Sequence, residues 1–104
     1  MVGAREAYRA WRAGEVAIVD VREEAEHIVT RVPGVPLLPL SELLERVEEL
    51  PEGPLVVMCR SGSRSAAVVE YLRDRGGRPD AANLEGGILA WAAEGLPYEG
   101  EPPR

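Results

Sequence analysis

Six consecutive residues, Cys59-Arg60-Ser61-Gly62-Ser63-Arg64, concentrate the reactive groups of this 104-residue chain. They bring together its only cysteine, two permanent cations, hydroxyl groups and a glycine, with Ser65 directly after them. An apolar run, Leu55-Val56-Val57-Met58, leads into the segment, and an amphipathic stretch follows it. In a strand-to-helix loop, successive backbone N–H groups can converge into a nest for an anion. A helix starting near Ser65 adds about half a positive charge at its N-terminus. Together with Arg60 and Arg64, these features favour thiolate over thiol, so Cys59 is expected to ionise well below the ~8.5 of a free cysteine. A lone cysteine closing an apolar strand is ordinarily a small buried hydrophobe, Gly62 alone a turn glycine and Arg60 alone a surface cation. Their combination in one loop reverses that reading. A thiolate in an anion cradle can attack an electrophilic sulfur, or it can attack phosphorus or arsenic. In either case the cradle takes the oxyanion part of the substrate and arginine binds it through paired hydrogen bonds.

The flanking sequence must position this loop. Residues 4–12 carry Ala7, Tyr8 and Trp11 at helical spacing, with Gly14 as the stop. Residues 16–19 form a continuous apolar run ending at Asp20, as in a parallel strand covered on both faces. Residues 22–30 are charged and mixed, and 32–36 are turn-rich. Ser41 is the expected N-cap of a helix to Leu50, with Leu43, Val47 and Leu50 on one face. Residues 65–75 read as a helix with Ala66, Val69 and Leu72 inward, and 81–84 as a weaker strand. Gly86-Gly87 turns the chain into a short helix through Trp91, and the tail 98–104 is expected to fray.

Strands alternating with helices predict a single α/β domain over 1–104, a three-layer sandwich whose mostly parallel sheet has about four to five strands. Ligands of such sheets bind at the carboxyl ends of strands, so Asp20-Val21-Arg22 and the Cys59 loop should share one edge. Asp20 and Arg22 are read as a structural ion pair, since that is the commoner use of buried charge.

Composition removes several alternatives. The formal net charge of −6 disfavours nucleic acid and anionic membrane partners. One cysteine permits no intramolecular disulfide, and with one histidine it makes no metal site. No organic cofactor is implied. Neither a leader pattern nor an apolar run of ~20 residues occurs, so a reducing compartment, most simply the cytoplasm, is expected. All twelve basic residues are arginine, with one asparagine and no glutamine, a balance compatible with a heat-loving source or a GC-rich genome. A monomer or weak dimer suits a domain of this size.

Val19-Asp20-Val21-Arg22-Glu23, Pro33-Gly34, Cys59 through Ser65, and Glu85-Gly86-Gly87 with Trp91 follow one another in an order that resembles the rhodanese homology domain over residues 16–97. The resemblance implies a sulfurtransferase in which Cys59 takes a sulfane sulfur from thiosulfate or a persulfide donor. The sulfur then passes to cyanide, a thiol or another protein. It also implies that Arg60, Ser61, Gly62, Ser63 and Arg64 bind the donor, the two arginines holding its sulfonate, with Ser65 in support.

Two departures stand out. The family's Gly-His-Ile-Pro-Gly-Ala stretch is here Thr30-Arg31-Val32-Pro33-Gly34-Val35, with Arg31 at the histidine position. His27, the only histidine, sits where an aromatic is usual and is read as packing. The opening edge strand could come only from Met1-Val2. Among rivals, a cysteine phosphatase or arsenate reductase would use the same cradle. The related phosphatases place five residues between cysteine and arginine, whereas four separate Cys59 from Arg64. A non-catalytic interaction module, or a relay whose acceptor is another protein, completes the set.

Overall fold

The residues of β3 (Leu55–Met58) alternate between two cores, which is what makes a three-layer arrangement possible. Leu55 and Val57 pack to one side with Val19, Val68, Val69 and Leu72; Val56 and Met58 pack to the other with Ala7, Ile18, Ile88 and Trp91. This is the two-residue alternation of a strand with both faces covered. The computed structural model describes residues 1–104.

β1 (Ala17–Asp20) pairs with β3 in parallel, Asp20 lying opposite Met58. β4 (Ala82–Asn83) pairs with β3 on the other side, giving the order β1-β3-β4. Single parallel bridges extend both edges, Leu37 beside Asp20 and Val2 beside Leu84. The opening segment thus supplies the edge contact reserved for it: Val2 donates to the Asn83 carbonyl at 2.9 Å and accepts from Glu85 at 2.8 Å. α1 (Ala4–Arg12) and α4 (Gly87–Ala93) cover one face. There Trp91 is buried edge-on against Tyr8 and Trp11, and its ring N–H donates to the Pro97 carbonyl at 2.7 Å. α3 (Ser63–Asp74) covers the other face.

Several expectations need correction. Residues 41–50 form no α-helix but two 3₁₀ segments, Leu40–Glu45 and Val47–Glu49. Arg46, with φ −126°, interrupts the ladder between them. Ser41 is not an N-cap; its hydroxyl donates to the Glu23 carboxylate at 2.7 Å. The apolar face nonetheless points inward, Leu43 and Leu50 being buried and Val47 packed beside them. α3 begins at Ser63 rather than Ser65, and its inward row is Ser65, Val68, Val69 and Leu72, leaving Ala66 exposed. A helix absent from the sequence reading, α2 (Glu24–Val29), occupies the charged stretch. It buries no residue fully and is held at its start by reciprocal Glu23 and Glu26 side-chain-to-backbone bonds.

The tail does not hang free. β5 (Glu99–Gly100) pairs antiparallel with β2 (Thr30–Arg31). Beyond it, the Glu101 amide donates to Val29 at 2.9 Å, and its carbonyl accepts from the Thr30 hydroxyl.

Candidate active site

The parallel register of β1 and β3 brings the ends of both strands to one edge, as expected of Asp20-Val21-Arg22 and the Cys59 loop. Past Met58 the chain turns through residues 59–62, with Gly62 at φ 102° leading into α3. Only glycine adopts that backbone readily. A Cβ there would also lie 3.3 Å from the Gly86 amide nitrogen.

The turn folds the loop around Cys59 Sγ. The Gly62 amide donates to the sulfur at 3.1 Å, the Ser65 amide at 3.4 Å and the Ser65 hydroxyl at 3.2 Å. No side chain caps α3, so the sulfur itself takes the position an N-cap oxygen would fill. Burial, the largest single influence, pushes the Cys59 thiol up. The Ser65 hydroxyl and the amides of Ser65, Gly62 and Ser61 together outweigh it and leave the thiol below its ordinary range. The expected direction holds, and of the causes named for it the amides of the loop and helix start act on the sulfur directly, joined by the Ser65 hydroxyl.

Neither arginine stands free. Arg64 donates from Nη1 and Nη2 to the two carboxylate oxygens of Glu26 at 2.7 and 2.8 Å. Arg60 is exposed, and its Nε donates to the Arg104 carbonyl. Ser61 and Ser63 are exposed on the rim, while Gly62 is buried.

A second tier fixes the cradle. Asn83 Nδ2 donates to the Gly62 carbonyl at 3.0 Å, which turns Asn83 Oδ1 toward the Ser65 hydroxyl. That hydroxyl has one proton and two acceptors, Oδ1 and the sulfur, so it serves the thiolate only by leaving the amide. Gly87 lets α4 dock underneath: the Ile88 amide donates to the Cys59 carbonyl at 2.9 Å and the Leu89 amide to Arg60 at 3.1 Å. Asp20 and Arg22, both buried, form the paired bond expected of them, Nη2 to Oδ2 at 2.7 Å and Nε to Oδ1 at 3.0 Å. Arg22 continues to the Thr30 carbonyl at 2.7 Å, tying the strand end to β2. Arg31 faces away from the cradle, bonded to the Ile28 carbonyl and Glu99. His27 is half-buried, and burial lowers its ionisation below 6.5.

Beside the loop lies a cavity of about 230 Å³, lined in part by Ala25, Glu26, Val29, Arg60, Ile88 and Pro103. Cys59 does not line this cavity and has no exposed surface. Glu26 and Asn83 are the site residues that sequence reasoning missed, while Gly87 was read only as a turn glycine within the Glu85-Gly86-Gly87 landmark. Of the two, only Glu26 carried a signal, as the acidic residue three positions after Glu23 in a capping pattern, and that signal speaks for a helix start rather than for a place at the loop.

A strand-end cysteine whose sulfur is held by the first turn of the following helix, on a parallel sheet between two helical layers, defines a class of thiolate-based transferases and hydrolases. Within that class the chain belongs to the rhodanese-like domain family, whose model matches residues 3–94. It is 41% identical to a sulfurtransferase of Allochromatium vinosum over 85 residues, 80% of this chain and 78% of that protein. A rhodanese-related protein of Thermoplasma volcanium superposes with a TM-score of 0.84 at 35% identity, covering 96% of this chain and 97% of the other. A thiosulfate sulfurtransferase of Pseudomonas aeruginosa matches at 0.81 and 30% identity, over 99% of this chain and 20% of that one. Sulfurtransferase function in general follows from these matches.

Proposed function

We propose that the chain transfers sulfane sulfur through a persulfide on Cys59. The observation that carries this reading is the convergence of three hydrogen-bond donors on one buried sulfur. They hold negative charge on Cys59 without any histidine base, the only histidine lying half-buried on α2. In the first half-reaction the Cys59 thiolate attacks the outer sulfur of thiosulfate or of a persulfide. The donor's S–S bond breaks, and sulfite or a thiolate leaves with the electron pair. In the second, cyanide, a thiol or a partner protein's thiol attacks the terminal sulfur and returns Cys59 to thiolate. The fixed amides need no reorganisation as charge moves on and off the sulfur.

Phosphatase or arsenate chemistry is less well supported, because the four-residue spacing between Cys59 and Arg64 makes a smaller loop. A free resting thiol on Cys59 suits a reducing compartment such as the cytoplasm, and a monomer would suffice for the reaction.

Steady-state assay with thiosulfate and cyanide tests the reading. Parallel double-reciprocal lines and loss of at least ~10³-fold activity in Cys59→Ala are expected for a covalent nucleophile. Turnover in Cys59→Ala near that of the wild type would refute it.

A further inference from the structure

The fork of Arg64 is occupied before any donor arrives. Both of its terminal nitrogens face Glu26, in the two-point geometry by which a guanidinium grips an oxyanion. Glu26 is also held from behind. Its Oε1 accepts the Glu23 amide at 3.1 Å, and its backbone carbonyl accepts Arg22 Nη1 at 3.5 Å. Arg22 is itself pinned to Asp20. Arg64 and Glu26 are each about one-third exposed, at 33% and 32%. The Arg64 hydrogen bonds, opposed by burial, bring Glu26 from 4.5 down to about 2, so the pair is fully ionic at neutral pH. With Arg60 turned to a backbone carbonyl, the rim presents a compensated pair where the loop sequence alone promises a net positive charge.

We propose that Glu26 is a specificity-determining residue, a resident carboxylate that a doubly charged oxyanion donor must displace from Arg64 and a singly charged organic donor need not. The inference rests on the sulfurtransferase reading and deepens it. The neighbouring cavity, with Ala25, Val29, Ile88 and Pro103 in its wall, offers apolar surface for the organic part of such a donor. For an aryl thiosulfonate, the Cys59 thiolate takes the outer sulfur, the S–S bond breaks, and the sulfinate leaves with the electron pair. Atoms and charge balance as they do for thiosulfate and sulfite.

Glu26→Gln removes the charge and keeps an oxygen for the Glu23 amide, so the start of α2 retains its cap. Binding is read first, by titration calorimetry of thiosulfate into Cys59→Ser with and without Glu26→Gln. Turnover then compares thiosulfate with benzenethiosulfonate in wild type and Glu26→Gln. The proposal predicts that Glu26→Gln binds thiosulfate about fivefold tighter and lowers its KM to match, with kcat little changed, the scale of a partly exposed ion pair. The KM for the singly charged donor should move by less than about twofold. A residue that merely positioned Arg64 would weaken both donors on neutralisation. Thiosulfate binding that is unchanged, weaker or undetectable in both backgrounds overturns the proposal, as does an equal gain for the two donors. Tighter binding without any persulfide on wild-type protein would instead sink the sulfurtransferase reading and leave the competition for Arg64 standing.

Discussion

At Cys59 two opposing influences meet, burial raising the thiol and hydrogen bonds lowering it, and the bonds win. Ser65 is the pivot, because its hydroxyl and amide both reach the sulfur. Ser65→Ala should therefore raise the Cys59 ionisation. Alkylation by iodoacetamide at neutral pH should slow by about tenfold, the scale of one hydrogen bond to a charged acceptor. An unchanged pH profile of alkylation would remove Ser65 from that role. The sign for stability follows from the same shift. A thiol lowered on folding stabilises the native state at pH above its unfolded value, and that contribution is lost as pH falls through the folded value. At this scale much of the site was legible, because Cys59, Gly62 and Ser65 lie within seven consecutive residues and a local loop brings them together. Glu26 and Asn83 were not legible, since they come from α2 and β4, and only tertiary packing brings their side chains to the loop.

Among the elements, α4 shows how a glycine can serve a catalytic loop it does not belong to. A Cβ on Gly87 would lie 2.5 Å from the carbonyl oxygens of both Cys59 and Arg60, at φ 59°. Gly14 also has positive φ, at 76°, but nothing lies within 4 Å of its Cβ position. Gly87→Ala should cost about 2–3 kcal/mol or more in urea unfolding and Gly14→Ala about 1 kcal/mol, the backbone term alone. Equal costs would show that the approach of α4 to the loop relaxes freely. β1, β3 and α1 were readable because their apolar patterns match what they bury. α2 escaped because it buries no residue fully and owes its place to hydrogen bonds and ion pairs. Residues 40–50 kept their inward leucines but wound as two 3₁₀ segments, separated at Arg46, instead of one α-helix. Apolar periodicity there reported a face, not a helix type.

For the whole molecule, the Glu26–Arg64 clasp couples the charge of the site to global stability. Glu26 ionises at about 2 in the folded chain against an ordinary 4.5, so its contribution is present above pH 4.5 and fades as pH falls toward 2. Wild type should exceed Glu26→Gln by about 1 kcal/mol near neutral pH, and the two should converge at about pH 2. A constant difference across that range would contradict the assignment. The tail, expected to fray, joins β2 and brings Arg104 against Arg60. Its short polar sequence held no pattern for this, since backbone pairing supplies most of the contact. The central claim concerns one atom, Cys59 Sγ, and intact-protein mass spectrometry reads it directly. After brief exposure to a sulfane donor, tried as thiosulfate and as an aryl thiosulfonate, the account predicts a gain of one sulfur atom on Cys59. The gain should be lost on adding cyanide as thiocyanate appears. A folded protein with a free Cys59 thiol that gains no sulfur from either donor would contradict it.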